Sequence, residues 1–132
     1  ARKELDEVIQ KTSGNKLMTL TLALSYGSRE EMVSTIKSIA TKVKDGSLDI
    51  ESINDDTVNQ HLYTHNLPDV DLLIRTSGEE RISNFLLWQI AYAELYFTPT
   101  LWPDFRRENL LEAVLNYQNR ERRFGKTSEQ LS

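Results

Sequence analysis

Two arginines and a serine closely follow one short apolar run and have the chemistry of an anion site. Arg75 ends that run, Arg81 follows six residues later, and Ser83 stands two residues beyond it. Guanidinium groups make charge-assisted hydrogen bonds to phosphate oxygens, and free amides at a helix N-terminus favour the same ligand. The spacing therefore suits a phosphate or diphosphate. A structural interpretation stays open, in which Ser83 is a helix N-cap and the arginines pair with Glu79 and Glu80.

A single carboxylate, Glu94, lies within the apolar and aromatic stretch 91–97. Burial of a carboxylate without a partner is costly, so Glu94 needs either a cation or a hydrogen-bonding partner. Mg²⁺ is often held by one or two carboxylates together with substrate phosphates. The alternative is an ion pair between Glu94 and an arginine, and the residues alone favour that ion pair.

An arginine cluster near the end of the sequence is the third candidate. The segment 119–125 contains Arg120, Arg122 and Arg123 and ends in Gly125. Cations in the last turn of a helix interact favourably with its dipole, and glycine often caps such a helix. This accounts for most of the pattern but not for the number of arginines, so a second anion contact stays open.

The composition is that of a folded domain rather than a disordered or membrane-spanning one. Among 132 residues, 39% are hydrophobic and 27% are charged, and no apolar run approaches the ~18 residues of a membrane span. Cysteine is absent, which excludes disulfides, thiolate metal sites and a cysteine nucleophile. The net charge of −4 argues against a broad nucleic-acid surface, but not against a local basic pocket.

Strands alternate with helices along the sequence, which predicts an α/β fold with a parallel sheet flanked by helices. The predicted strands are the apolar runs 17–26, 70–74 and 95–97. The predicted helices are the opening residues, 28–44, a short helix capped by Asn54 or Asp55, 84–92 and about 106–123. We expect one domain over residues 1–132, with a frayed polar tail over 126–132.

The helix predicted at 28–44 begins with a capping-box pattern. In Ser28-Arg29-Glu30-Glu31, Ser28 is the expected N-cap and Glu31 is expected to reach back to its amide. Apolar side chains recur along this helix at helical spacing and are expected to face the core. They are Met32, Val33, Ile36, Ile39, Ala40 and Val43.

Taken together, three segments of the sequence resemble the cis-prenyltransferase family. They are residues 22–29, with the sequence LALSYGSR, residues 71–97 running on to Trp-Pro-Asp-Phe at 102–105, and residues 120–125. The resemblance spans nearly the whole chain, and its middle segment is long and specific. One departure is Ser28, where many relatives have glycine, and the capping-box pattern offers a local reason for it.

The resemblance implies an enzyme that condenses isopentenyl diphosphate onto an allylic diphosphate, such as farnesyl diphosphate, to make a long cis-polyprenyl diphosphate. By the same resemblance, Arg75, Arg81 and Ser83 would hold the diphosphate of isopentenyl diphosphate, in agreement with the anion site argued above. Glu94 matches the family carboxylate that helps to hold Mg²⁺, sometimes across a dimer interface.

A homodimer is also implied by the resemblance. Arg123 and Gly125 match the family's C-terminal Arg-x-Gly motif, which reaches into the partner subunit's isopentenyl site. The aromatic stretch near Glu94 is then expected at the interface. The family further implies a cytoplasmic protein without a nucleic-acid partner, with peripheral membrane contact through its lipid product.

One family motif is missing from these 132 residues. The N-terminal motif His-x-x-Met-Asp-Gly-Asn, which supplies the main catalytic aspartate, does not occur in the sequence. We therefore expect the C-terminal half of such an enzyme, inactive by itself. Two alternatives are a non-catalytic partner subunit, which the retained site residues disfavour, and an unrelated α/β diphosphate-binding domain, which the length of the match disfavours.

Overall fold

A computed structural model describes residues 2–121 of the chain. The helices are α1 (Arg2–Thr12), α2 (Ser28–Lys44), α3 (Asp55–His61) and α4 (Arg107–Gln118). The strands are β1 (Leu72–Arg75) and β2 (Glu94–Phe97), and 3-10 turns cover Ile50–Ser52 and Trp102–Asp104. The candidates Arg123 and Gly125 and the predicted tail lie outside the described residues. None of the helices described is long and apolar enough to cross a membrane.

The two strands pair in parallel, which confirms the predicted α/β class with a parallel sheet. Leu72 lies opposite Glu94 and Arg75 lies opposite Phe97. The amide of Thr98 donates to the carbonyl of Arg75 at 2.9 Å and extends the ladder past the strand ends. Because the strands are parallel, their carboxyl ends share one edge of the sheet, where ligands bind in folds of this kind.

The predicted strand at 17–26 is wrong. This segment has no regular secondary structure, and none of it pairs with β1 or β2. Its large apolar side chains stand in solvent, with Leu17 fully exposed and Leu24 69% exposed. A strand needs a neighbour to satisfy its backbone amides and carbonyls, and this segment finds none among the described residues.

The predicted helix at 84–92 is also wrong, because the backbone there turns repeatedly instead of coiling. Ser83, Asn84 and Leu86 have φ angles of 54°, 61° and 49°. These values lie in the left-handed region, which an α-helix of L-residues cannot contain. The segment is a series of turns, in which the amide of Ile90 donates to the carbonyl of Leu86 at 3.0 Å.

Helix α2 has the predicted bounds, but its buried face is rotated away from the predicted one and shares only Ile39 with it. Its buried residues are Ser28, Glu31, Thr35 and Ile39, and Gly27 rather than Ser28 is the N-cap. On the predicted core face, Val33 is 52% exposed and Ile36 is 60% exposed. The polar stripe is buried because it packs on the chain after α3 and on the turns at 84–89, whose hydrogen-bonding groups it satisfies.

The buried residue of helix α4 is a small one. Ala113 is fully buried, whereas Leu110, Leu111 and Leu115 are each about half exposed. The leucines were predicted from their helical spacing to face inward, and that prediction is wrong. For α3 the predicted cap is confirmed, since Asn54 and Thr57 form a reciprocal capping box.

Candidate functional site

The chain that leaves β1 is tied to the chain that leaves β2. The amide of Ser77 donates to the carbonyl of Thr100 at 2.8 Å, and the amide of Gly78 donates to the carbonyl of Thr98 at 2.9 Å. Both Ser77 and Gly78 adopt positive φ angles, of 73° and 69°, so the chain turns sharply after Arg75. This turn fixes the carboxyl edge of the sheet, from which the candidate anion-binding residues extend.

Arg81 forms an ion pair with Glu79 at the surface. The Arg81 side chain is 67% exposed and that of Glu79 is 38% exposed. The ion-pair interpretation of Arg81 is therefore confirmed, with Glu79 as its partner. An exposed ion pair contributes little to stability, so the guanidinium can exchange this carboxylate for a phosphate at small cost.

Ser83 is not a helix N-cap, because no helix follows it. Ser83 is exposed and has a left-handed backbone conformation. The next residue, Asn84, is hydrogen-bonded to the start of α2. The carbonyl and the Oδ1 atom of Asn84 accept from the amides of Ser28 and Arg29, both at 2.9 Å. The Nδ2 atom of Asn84 donates to Oε2 of Glu30 at 3.1 Å. The segment that carries Arg81 and Ser83 is thereby docked on the N-terminus of α2.

Gly27 makes this docking sterically feasible. A Cβ atom at position 27 would overlap Oε2 of Glu30 and lie 2.9 Å from Nδ2 of Asn84. Hydrogen bonds from its own backbone amide and from Asn84 lower the pKa of Glu30 below its usual value, with a smaller contribution from Arg29. The glycine before α2 therefore leaves room for the Glu30 and Asn84 side chains, which a Cβ atom would force to shift.

Glu31 is a fully buried carboxylate at the centre of a hydrogen-bonded cluster. It accepts from the Tyr26 hydroxyl at 2.5 Å, from the Tyr63 amide at 2.8 Å and from Nε2 of Gln89 at 3.0 Å. Burial and the hydrogen bond to Glu31 raise the pKa of Tyr26. The capping-box role expected of Glu31 is wrong, because its carboxylate instead joins α2 to the chain after α3 and to the turns at 83–92.

Glu94 is paired with Arg120, so the ion-pair interpretation is confirmed. The Nη1 atom of Arg120 lies 2.9 Å from Oε2 of Glu94, and the two side chains are 33% and 25% exposed. The same nitrogen donates to the carbonyl of Leu95, also at 2.9 Å. One arginine of the C-terminal cluster thus connects the end of α4 to the start of β2.

The carboxylate of Glu94 has the chemistry of a magnesium ligand, but it does not form a site by itself. Within residues 2–121 there is no group of three or more His, Asp or Glu side chains arranged to hold a metal. A single carboxylate oxygen suits Mg²⁺ when substrate phosphates and waters supply the remaining ligands. Glu94 therefore fits that role only together with groups from outside the described chain.

The candidates do not all lie at one place. Arg75 lies at the carboxyl end of the sheet, and Arg81 and Ser83 lie in the loop that follows it. Glu94 begins β2 and therefore lies at the opposite end of the strands. Glu94 is three residues before Phe97, the partner of Arg75, so the two ends of the strands are about 10 Å apart. A pocket of about 780 Å³ lies between α3 and the turns at 87–92, and none of these four candidates lines it.

Residues 1–125 match a family model described as "Putative undecaprenyl diphosphate synthase". The chain belongs to the cis-prenyltransferase family. It is 57% identical over 131 residues to an "Isoprenyl transferase" of Porphyromonas gingivalis, covering 99% of this chain and 52% of that relative.

A second relative has a more specific name. The "Ditrans,polycis-undecaprenyl-diphosphate synthase ((2E,6E)-farnesyl-diphosphate specific)" of Vibrio vulnificus is 48% identical over 130 residues, covering 98% of this chain and 52% of the relative. The chain therefore spans about half the length of the curated cis-prenyltransferases that it matches.

Solved structures of the family agree with this fold. Lavandulyl diphosphate synthase from Lavandula x intermedia, in complex with dimethylallyl diphosphate, matches with a TM-score of 0.88 at 42% identity, covering 95% of this chain and 54% of that one. A "probable undecaprenyl diphosphate synthase" from Campylobacter jejuni matches with a TM-score of 0.73 at 37% identity, covering 95% and 56%.

Proposed function

We propose that this chain is the C-terminal half of an undecaprenyl diphosphate synthase. The complete enzyme would add isopentenyl diphosphate units to an allylic diphosphate, such as farnesyl diphosphate, with cis geometry. The observation that carries this proposal is that Arg75 ends β1 at the carboxyl end of the parallel sheet, with Arg81 and Ser83 in the loop that follows, within the residues that the family model matches. The name of the Vibrio vulnificus relative supports farnesyl diphosphate as the allylic substrate.

In this proposal the two arginines and the serine bind the diphosphate of isopentenyl diphosphate. Arg81 exchanges Glu79 for the ligand, Arg75 binds from the strand end, and the Ser83 hydroxyl adds a hydrogen bond. Because Asn84 is hydrogen-bonded to the N-terminus of α2, the backbone next to Ser83 is fixed relative to that helix. Fixing one reactant in this way favours a productive encounter with the other.

Glu94 is the proposed carboxylate ligand for Mg²⁺. When bound, Mg²⁺ would stabilise the negative charge of the departing diphosphate. The resemblance of residues 120–125 to the family's C-terminal Arg-x-Gly motif supports a site that is completed by a second copy of the chain. A homodimer is therefore proposed, in which Arg123 and Gly125 contribute to the isopentenyl site of the partner. Their positions lie outside the described residues.

By itself the chain is expected to make no product, because the aspartate motif of the family is not in its sequence. We place the complete enzyme in the cytoplasm, in contact with the membrane through its lipid product. Fusing residues 1–132 behind the N-terminal half of the Porphyromonas gingivalis relative tests this directly. The fusion should make polyprenyl diphosphate from farnesyl and isopentenyl diphosphates, while the chain alone should make none.

A matched pair of variants distinguishes the site from general effects of charge. Arg81→Ala should abolish most product formation by the fusion, whereas Arg106→Ala should leave it unchanged. Arg106 is exposed, and its described side-chain contact is the carbonyl of Phe105. Product from the chain alone, or a folded fusion of Arg81→Ala with full activity, would overturn the proposal.

A further inference from the structure

The turn at 83–87 has an unusual backbone. Ser83, Asn84 and Leu86 have φ angles of 54°, 61° and 49°, all in the left-handed region. This region is costly for residues with a Cβ atom, and asparagine tolerates it better than serine or leucine does. Local preference therefore does not explain three such residues within four positions. Contacts from the surrounding structure have to hold the turn in this conformation.

Ser28, the first residue of α2, holds this turn at two points. Its amide donates to the carbonyl of Asn84 at 2.9 Å, and its Oγ atom accepts from the amide of Leu87 at 3.0 Å. Ser28 is itself fixed, because it is fully buried and the amide of Glu31 closes the first turn of the helix on the carbonyl of Gly27 at 3.0 Å. A single residue of a helix thus fastens a strained segment three residues long.

The hydroxyl of Ser28 has a partner on each side. Burial and the hydrogen bond to Glu31 raise the pKa of Tyr26, whereas hydrogen bonds from Ser28 and from the amide of Leu86 oppose that rise. The Ser28 hydroxyl therefore donates to Tyr26 while its oxygen accepts from Leu87. A buried hydroxyl that is satisfied as donor and as acceptor keeps one orientation, so Leu87 has a fixed acceptor.

We propose that Ser28 is a positioning residue for diphosphate binding and acts through this turn. The inference rests on the proposed function, in which Arg81 and Ser83 bind the diphosphate of isopentenyl diphosphate. Ser83 directly precedes Asn84, so the direction of its hydroxyl depends on the backbone that Ser28 fastens. Without the Ser28 hydroxyl the Leu87 amide loses its acceptor, and the left-handed residues are free to relax. Ser28 is fully buried and has no contact with the substrate in this scheme.

The amide of Leu87 reports directly on this hydrogen bond. In the folded chain, Ser28→Ala should make its hydrogen exchange about three- to tenfold faster, the range of one neutral hydrogen bond, as measured by nuclear magnetic resonance. Ser38→Ala is the matched control, because Ser38 is an exposed serine on the same helix. Exchange at Leu87 in the control should equal that of the original chain. Unchanged exchange in Ser28→Ala would overturn the proposal.

Kinetic constants of the fusion described above separate positioning from a purely structural role. In Ser28→Ala the KM for isopentenyl diphosphate should rise about three- to tenfold. The KM for farnesyl diphosphate and kcat should stay within about twofold of their original values. A purely structural role would lower the folded fraction, and with it the apparent kcat, but would leave both KM values unchanged. Ser38→Ala should match the original fusion in all three constants.

Combining Ser28→Ala with Ser83→Ala tests whether the effect passes through the loop. Two residues that act on one interaction have non-additive effects, whereas the effects of independent residues add. In the Ser83→Ala background, Ser28→Ala should therefore raise the KM for isopentenyl diphosphate by about twofold or less. The same increase with and without the Ser83 hydroxyl would show that Ser28 does not act through Ser83, and would overturn the proposal.

A second variant keeps the test decisive if Ser28→Ala does not fold. Ser28→Gly removes the same hydroxyl and adds no atom to a fully buried position. Ser28 is the first residue of its helix, where glycine costs less than it does in the interior. The same changes in Leu87 exchange and in the KM for isopentenyl diphosphate are expected.

Failure of this inference and failure of the proposed function give different results. If the Ser28 variants leave the KM for isopentenyl diphosphate unchanged while Arg81→Ala abolishes most product formation, the positioning role is refuted and the proposed function survives. If the fusion makes no product, or a folded fusion of Arg81→Ala keeps full activity, the proposed function is refuted and the positioning role with it.

Discussion

Arg75 and Glu94 lie at opposite ends of the same pair of parallel strands. Arg75 ends β1 opposite Phe97, and Glu94 begins β2 opposite Leu72. The two candidate functions, diphosphate binding and metal binding, are therefore about 10 Å apart along the sheet of one chain. In our account one copy supplies the arginines of a site and another copy supplies the carboxylate.

Replacing Glu79 tests whether its ion pair with Arg81 competes with the ligand. Glu79→Gln frees the guanidinium and should raise the affinity for isopentenyl diphosphate about two- to fivefold, the range of an exposed ion pair. Calorimetric titration measures the change. Glu80→Gln alters the net charge equally one residue away, so an equal gain in that variant would show that Glu79 has no special role.

Adding a methyl group at Gly27 tests the docking of the loop on α2. The Cβ atom would overlap Glu30 and press on Nδ2 of Asn84, so Gly27→Ala should displace the Asn84 side chain from the N-terminus of α2. Loss of such a cap costs about 1–2 kcal/mol in the free energy of unfolding, measured by urea denaturation. Gly14→Ala is the control, since nothing lies within 4 Å of a Cβ there. Equal effects at both positions would contradict the docking.

Removing the Tyr26 hydroxyl tests the buried cluster around Glu31. Tyr26→Phe leaves the carboxylate without its 2.5 Å donor and should lower the free energy of unfolding by about 1–3 kcal/mol. The T-shaped contact of ring 26 with Phe85, at 5.6 Å, is kept. Tyr63→Phe is the control, because Tyr63 reaches Glu31 through its backbone amide and its side chain is 62% exposed. A larger loss in the control would refute the role of Tyr26.

The same cluster predicts a dependence on alkaline pH. Burial and the hydrogen bond to Glu31 raise the pKa of Tyr26 above its ordinary value of 10.0, so the folded state holds the phenolic proton more tightly than the unfolded state. The resulting stability is complete below pH 10.0 and is lost as the pH rises through the folded-state pKa. Urea denaturation as a function of pH should show this loss in the original chain and less of it in Tyr26→Phe. Identical profiles would contradict the prediction.

Local patterns predicted the parts of the fold that local interactions determine. Helix α2 was predicted with its bounds, and β1 and β2 were found from short apolar runs. The strand predicted at 17–26 does not form, because strand formation depends on a pairing neighbour as well as on propensity. The buried face of α2 was predicted only at Ile39, because periodicity shows where apolar residues cluster and not which polar side chains find partners. Glu31 is buried because Tyr26, Tyr63 and Gln89 satisfy it, and no local signal marks that.

The candidate anion site was predictable only in part. That Arg75 ends a strand at the carboxyl end of the sheet, with Arg81 and Ser83 in the loop that follows, could be predicted from their position after an apolar run. Asn84 is hydrogen-bonded to the amide of Arg29, which is 55 positions away in the sequence, and local spacing cannot reveal such a contact. The ion pair of Glu94 with Arg120 was one of two open interpretations, because the sequence does not show which arginine is near.

The central claim is that this chain carries the diphosphate site, and calorimetric titration with isopentenyl diphosphate, with and without Mg²⁺, tests it most directly. After circular dichroism has shown each variant to be folded, Arg75→Ala and Arg81→Ala should each weaken binding by about 2 kcal/mol, as expected for loss of a charge-assisted contact. Arg106→Ala should bind like the original chain. Folded Arg75→Ala and Arg81→Ala variants with unchanged affinity would contradict the account.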